Sequence, residues 1–167
     1  MSSWWERHGV PRLIKCACSQ GQIMKLRSQV VPQAAGEVLE LGCGGGINME
    51  FYEPARITGF SGLDPSPELL AMSRAAARAR GIEADIRGGI GEAMPFESDR
   101  FDTVVTTFTL CSVAEPGAVL AEIRRVLKPG GTALFLEHGA APDSGVAKWQ
   151  RRIEPLWKRI GGNCHLT

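Results

Sequence analysis

The sequence lacks most of the features that would assign it to a special class. It has no charge excess: 19 Lys and Arg face 18 Asp and Glu, a formal +1 over 167 residues. Without a basic surplus, a dedicated nucleic-acid binder is not expected. No apolar run approaches the roughly 18 residues of a membrane span. Met1 opens onto Ser2-Ser3-Trp4-Trp5-Glu6-Arg7, not onto a basic segment with an apolar centre, so no secretory leader is expected. The five cysteines (Cys16, Cys18, Cys43, Cys111 and Cys164) are odd in number and scattered, with no C-x-x-C. No disulfide framework and no metal site follow, and a reducing, cytoplasmic setting is expected. There is no internal repeat and no low-complexity segment. What remains is an ordinary globular composition, 44% hydrophobic and 22% charged, in 18.0 kDa. That suits one domain that folds without staples.

Two features are in surplus. Twenty residues are glycine, several of them in one cluster. Charge is also unevenly placed. Residues 1–30 carry a net +4, residues 148–160 another +4, and the remainder −7.

The middle of the chain reads as alternating strand and helix. Strands are predicted over 37–41, 57–63, 82–87, 101–106 and 132–137. Helices are predicted over 47–52, 67–80, 116–127 and 146–160. Ser66 as cap, Pro67 at the first position and Gly81 beyond the end mark the second helix. Lys128-Pro129-Gly130-Gly131 reads as the stop of the third. Pro155 predicts a kink in the last. Alternation of this kind implies an α/β fold with a doubly wound, mostly parallel sheet. Ligands then bind beyond the carboxyl ends of the strands. That rule gathers 42–46, Asp64, the 90–93 loop, 106–111 and Glu137-His138 at one rim.

The first strand runs into Glu40-Leu41-Gly42-Cys43-Gly44-Gly45-Gly46-Ile47-Asn48. Glycines at 42, 44 and 46 allow a sharp turn and close approach to a ligand. A dinucleotide fingerprint needs G-x-G-x-x-G, and the third glycine would fall on Ile47. A phosphate loop needs a following Gly-Lys-Ser/Thr, which is absent. Asp64 lies 18 residues beyond Gly46, at the end of the second strand, where a carboxylate can accept from both ribose hydroxyls. The combination suits a nucleoside without a pyrophosphate. The blander alternative is a glycine turn and a helix-capping aspartate.

These residues resemble the class I S-adenosylmethionine-dependent methyltransferases, in a Rossmann-like arrangement. Val38-Leu39-Glu40-Leu41-Gly42-Cys43-Gly44-Gly45-Gly46 looks like their first motif, and Gly62-Leu63-Asp64-Pro65-Ser66 like the acidic ribose loop. Glu92-Ala93-Met94-Pro95-Phe96 with Phe101 to Val105 looks like the adenine loop and fourth strand. Leu120 to Gly131 looks like the helix and turn before the fifth. A narrower resemblance joins Leu110-Cys111-Ser112-Val113, Glu137-His138, Trp149-Gln150, Pro155-Leu156-Trp157-Lys158 and Cys164-His165-Leu166-Thr167. It points to bacterial relatives of the microsomal alkyl-thiol methyltransferases.

The resemblance implies the cofactor S-adenosyl-L-methionine and a set of roles. Gly42, Cys43, Gly44 and Gly46 set backbone against the methionine end, and Glu40 lies near the cofactor's amino group. Asp64 takes the ribose, Pro65 packs by the adenine, and Thr107 lies beneath the methionyl segment. The adenine loop has Ile90 where the family usually has Asp, leaving adenine to Glu92 or backbone groups. His138 is the candidate base, and a structural histidine is the alternative. Cys111 reads as a small buried residue; His8 and His165 have no ligand pattern around them.

The expected acceptor is small or lipid-like, for instance an apolar thiol. Residues 1–35, with Trp4, Trp5, Leu13, Ile14, Met24 and Leu26, are expected to form a helical lid over domain 36–167. The family continues beyond Thr167 with a helix and a closing hairpin, its sixth and seventh strands. The chain is therefore expected to be incomplete at its C-terminus, with an open sheet edge available for self-association. Val146, Trp149, Ile153, Trp157 and Ile160 form a helical stripe beside Lys148, Arg151, Arg152, Lys158 and Arg159. The plainer expectation packs that stripe on the sheet; the other lays it on an anionic membrane. Two other functions stay open: a non-catalytic cofactor-binding fold, and an NAD-linked oxidoreductase, against which Ile47 argues.

Overall fold

A computed structural model describes residues 21–160, 165 and 166. Five strands, β1 (Gly36–Leu41), β2 (Ile57–Asp64), β3 (Ala84–Gly88), β4 (Phe101–Thr107) and β5 (Leu127–Leu136), form one sheet. Its order is β3-β2-β1-β4-β5, with every neighbouring pair parallel. Among the described residues four α-helices accompany it: α1 (Gly21–Val30), α2 (Pro67–Ala79), α3 (Pro116–Val126) and α4 (Ser144–Ile160).

Alternate side chains along the central strands supply two cores. Val38 and Val105 face one way, with Met49, Tyr52, Phe60, Leu70, Ala77 and Ile86. Leu39 and Val104 face the other, with Phe96, Phe101, Val119, Ile123 and Val126. α2 closes the first layer through Leu70 and Ala77, and α3 the second through Val119, Ile123 and Val126. Ser66 caps α2, its Oγ accepting from Leu69 N at 3.4 Å, and Gly81 turns the chain at φ 67°. These are the signals the sequence carries.

Three expectations need correction. Residues 47–52 do not form an α-helix; Ile47–Glu50 is a single 3₁₀ turn entered through left-handed Gly46. Four residues are too few to nucleate a helix while the buried network below holds Asn48. Lys128-Pro129-Gly130-Gly131 is not merely a stop. Pairing of β4 and β5 begins at Phe101↔Leu127 and resumes at Thr103↔Thr132, so these four residues form a bulge inside β5. Lys128 Nζ anchors it on both oxygens of Asp102 at 2.8 Å.

The third concerns α4. The helix runs through Pro155, capped by Asp143, whose Oδ1 accepts from Gly145 N and Val146 N at 2.9 Å. Its inward face is Ala147, Gln150 and Glu154. Gln150 Oε1 accepts from Ala141 N at 2.8 Å and its Nε2 donates to Leu166 O at 3.0 Å; Glu154 accepts from Leu166 N at 3.0 Å. Of the expected stripe, Val146, Trp149 and Ile153 are left 51%, 67% and 41% exposed, not packed on the sheet, while Trp157 is half-buried and the side chain of Ile160 lies outside the description. Among the described residues, β5 pairs only with β4, so it is an edge.

Candidate functional site

The carboxyl ends of β1, β2 and β4 lie side by side, and the loops that leave them build the site. After β1 the backbone doubles back at once: Gly42 N and Cys43 N both donate to Leu63 O, at 2.8 and 3.1 Å. The three spaced glycines then serve different needs. A Cβ on Gly42 would strike the Thr109 side chain. One on Gly46 would lie 2.7 Å from Ala76 Cβ. Gly44 (φ 49°) has only Gly42 O near that position, at 3.8 Å. The loop is therefore pressed against protein at both ends and open at its middle. Cys43 is buried, and burial pushes its thiol far up, so it is a packing residue and not a nucleophile.

Asp64 ends β2 and faces that open middle. Its Oδ2 accepts from Gly44 N and its Oδ1 from Ser66 N, both at 2.9 Å. Burial raises its pKa, and those two N–H bonds oppose the rise. Each carboxylate oxygen has a second lone pair for a ligand hydroxyl. Pro65 is exposed beside it.

Beneath the loop lies a buried polar network. Glu40 accepts from Asn48 Nδ2 at 2.8 Å and from Tyr52 Oη at 3.0 Å. Asn48 also donates to Thr107 Oγ1 at 3.0 Å. Burial drives the Glu40 carboxyl up from 4.5 to about 7, although the bonds from Tyr52 and Asn48 and the Arg27 charge pull it down. Arg27 enters from α1, its Nη1 donating to Asn48 Oδ1 at 2.6 Å and Thr107 Oγ1 at 2.7 Å. Its Nε is buried without a partner among the described residues. Its guanidinium lies 5.1 Å from the centre of the Phe108 ring.

Phe108 directly follows β4 at φ 54°, a strained backbone for a non-glycine residue. His138, exposed just past β5, stacks on the same ring with centroids 6.2 Å apart and planes at 24°. Glu137 ties the two strand ends together, accepting from Thr106 Oγ1 at 2.7 Å and Thr109 N at 2.9 Å.

Glu40, Gly42, Cys43, Gly44, Gly46, Asp64, Pro65 and Thr107 thus collect at one rim, with His138 near Thr107 through Phe108. Glu92 is engaged elsewhere. It is half-buried, and its Oε1 accepts from Ala114 N at 2.9 Å and Glu115 N at 3.3 Å, at the start of α3. Ile90 is 54% exposed. Cys111 is half-buried, and its carbonyl accepts from His165 N at 2.7 Å. Of the expected lid, Met24 is half-buried and Leu26 is 44% exposed, while Trp4, Trp5, Leu13 and Ile14 lie outside the described residues, as does His8. Sequence reasoning missed Arg27, Asn48 and Tyr52. Asn48 and Tyr52 follow the glycine loop at spacings that a search for Glu40's partners would reach; Arg27 carries no local signal.

An open parallel sheet with a glycine loop after β1 and an acidic end to β2 is the frame of a nucleoside-binding α/β enzyme. Residues 39–135 match the methyltransferase domain family. The chain belongs to the class I S-adenosylmethionine-dependent methyltransferases. Thiol S-methyltransferase TMT1B of Rattus norvegicus is 46% identical over 136 residues, covering 78% of this chain and 54% of that protein. Thiol S-methyltransferase TMT1A of Homo sapiens is 38% identical over 142 residues, covering 81% and 57%. The chain spans about half the length of the curated relatives it matches. The fold is also that of a Bacillus halodurans C-125 protein assigned to the methyltransferases, with a TM-score of 0.70 at 23% identity, over 88% of this chain and 62% of that one.

Proposed function

We propose that this chain is the cofactor-binding part of an S-adenosylmethionine-dependent enzyme that methylates an apolar thiol. The observation that carries the reading is the opening above Gly44, with the Asp64 carboxylate fixed beside it by two backbone N–H bonds. The residues fit such a ligand. A carboxylate stands where ribose hydroxyls would donate, and among the described residues the buried Arg27 Nε has no acceptor.

When bound, the cofactor supplies a methyl group on a sulfonium sulfur, and transfer discharges that sulfur. The chain's residues supply position. Asp64 holds the ribose, and the backbone at Gly42, Cys43, Gly44 and Gly46 lines the methionine end. Glu40, Asn48 and Thr107 hold the network beneath. Such chemistry needs alignment more than acid–base power. An alkyl thiol arrives protonated at neutral pH, and only its thiolate is a good nucleophile, so a group that takes the proton matters. We assign that proton to His138, whose ring stands against Phe108 at the same rim. The thiol reading rests on the two relatives, each named a thiol S-methyltransferase. An exposed apolar stripe on the basic helix α4 suits an apolar acceptor presented at an anionic membrane surface.

The test is calorimetric titration with S-adenosylhomocysteine, with NAD as control, followed by transfer of labelled methyl from S-adenosylmethionine to an alkyl thiol. Binding of the former alone, with label entering the thioether, is the expected result. Binding of NAD in its place would overturn the cofactor reading. Cofactor binding with label entering amines or lipids instead would overturn the acceptor.

A further inference from the structure

Glu137 follows β5 directly, and its carboxylate bonds to the end of β4 and the loop that leaves it. Three donors converge on it. Thr106 Oγ1 donates to Oε1 at 2.7 Å, and Leu110 N to Oε2 at 3.2 Å. Thr109 N donates to both oxygens, at 2.9 Å to Oε2 and 3.2 Å to Oε1. Among the described residues no Lys or Arg lies within ion-pair distance of this carboxylate. Its charge is answered by N–H and O–H groups of one short segment, 106–110. Such charge-assisted bonds are stronger than those to a neutral acceptor. They bracket Phe108, whose own N–H donates to Leu136 O at 2.8 Å. The φ of 54° at Phe108 is a conformation that only the surroundings can impose.

Thr109 carries this clamp on to the glycine loop. Its side chain fills the space that a Cβ on Gly42 would need, and its Oγ1 lies 3.3 Å from Leu41 O. The glycine loop has anchors of its own: Gly42 N and Cys43 N on Leu63 O, and Gly44 N on Asp64. The turn at 108–110 depends instead on Glu137. His138 is the next residue in the chain, and its ring stacks on Phe108. One side chain therefore holds Phe108 from the β4 side, while its own backbone carries His138 from the β5 side. We propose that Glu137 is the positioning residue of the acceptor side, setting the Phe108–His138 pair in register with the glycine loop. It acts through those two residues and not on a reactant. This rests on the reading above, in which His138 takes the acceptor's proton.

Two variants of the full chain separate position from charge. Glu137→Gln can keep the bonds, its oxygen accepting from Thr109 N and Leu110 N while its N–H donates to Thr106 Oγ1. Glu137→Ala keeps none. The experiment measures affinity for S-adenosylhomocysteine, kcat for methyl transfer to butanethiol, and amide hydrogen exchange at 108–112. In Glu137→Ala we expect kcat to fall about tenfold to a hundredfold through misplacement of reacting groups. Affinity for S-adenosylhomocysteine should stay within about threefold, the split that marks a loss confined to transfer. Exchange at Thr109 and Leu110 should quicken about tenfold or more. Glu137→Gln should bring all three back to within about threefold of the unaltered protein. A glutamine variant as slow as the alanine one would mean that Glu137 acts by charge or by proton transfer, and overturns the proposal. Loss of cofactor affinity and kcat by the same factor in Glu137→Ala, the mark of a structural role, overturns it too. So does unchanged exchange at 109 and 110. If Glu137→Ala does not fold, Thr106→Val removes one donor alone and should show the same split at about threefold; an unchanged kcat there overturns the proposal. If the unaltered protein binds S-adenosylhomocysteine but leaves the thiol unmethylated, the acceptor reading fails, and exchange in the same variants still decides whether Glu137 holds the turn. If it does not bind S-adenosylhomocysteine, the cofactor reading and this assignment fail together.

Discussion

Glu40 is a buried acid whose ionisation is opposed by its surroundings, and that has a measurable sign. Its pKa rises from 4.5 to about 7 on folding. A group raised in this way contributes stability fully below its unfolded value, and the contribution is lost as pH climbs through its folded value. The protein without ligand should therefore be less stable at pH 8 than at pH 4.5–5, by up to about 3 kcal/mol from this residue. Glu40→Gln keeps one acceptor oxygen, for Asn48, and sets an amide N–H against Tyr52 Oη, which can accept it, but it cannot ionise, so urea unfolding of that variant should show a flatter pH profile. An unchanged slope would show that the loss comes from other groups. Asp64 gives a second test at this scale. Its carboxylate is held by Gly44 N and Ser66 N, so Asp64→Ala removes both a loop brace and the acceptors for the ribose. Binding of S-adenosylhomocysteine should weaken by about 1–3 kcal/mol. An unaltered dissociation constant would remove Asp64 from the site.

At the level of elements, the glycine loop is where local pattern and tertiary contact diverge. G-x-G-x-G, read along the chain, suggests three glycines that admit a ligand. Only Gly44 has the space for one. Gly42 is required by Thr109, which is 67 residues later in sequence, and Gly46 by Ala76 of α2. Gly46→Ala combines a left-handed backbone with overpacking against Ala76, and should cost about 2–4 kcal/mol in urea unfolding. Gly44→Ala meets only the backbone penalty, about 1–2 kcal/mol, and its larger effect should be on cofactor affinity. If the two variants unfold alike, the division of labour is wrong. The same divergence explains what else was legible. β1, β2, β4 and α2 carry strong local signals, such as β-branched runs, the Ser66 cap and Pro67, and those survive folding. The bulge at 128–131 depends on Lys128 reaching Asp102 on the neighbouring strand β4, and Arg27 depends on α1 meeting β4. Neither relation is visible in a window of neighbouring residues.

Over the whole molecule, charge and apolar surface come together on α4. The sequence shows the amphipathic stripe but not which face turns inward, because that is decided by Gln150 and Glu154 bonding to the 139–141 and 165–166 segments. With that face occupied, Val146, Trp149 and Ile153 point outward beside exposed Lys148, Arg151 and Arg152. No described helix is long and apolar enough to cross a membrane, so contact with a bilayer through α4 would be peripheral. Apolar side chains on a basic helix bind anionic surfaces by two additive terms, burial and charge. Burial of a large side chain contributes about 1.5–3 kcal/mol. Each Lys or Arg near an anionic surface contributes about 1 kcal/mol. The full chain should therefore float with vesicles containing phosphatidylglycerol and not with pure phosphatidylcholine, and salt should weaken the attachment. Trp149→Gln should lower vesicle affinity about tenfold or more at any salt. Arg151→Glu with Arg152→Glu should abolish the preference for anionic lipid while leaving folding intact. A second copy of the chain is the competing occupant of the stripe. A dimer in sedimentation that Trp149→Gln dissociates, with no vesicle attachment by the unaltered chain, would replace the membrane surface with that self-contact.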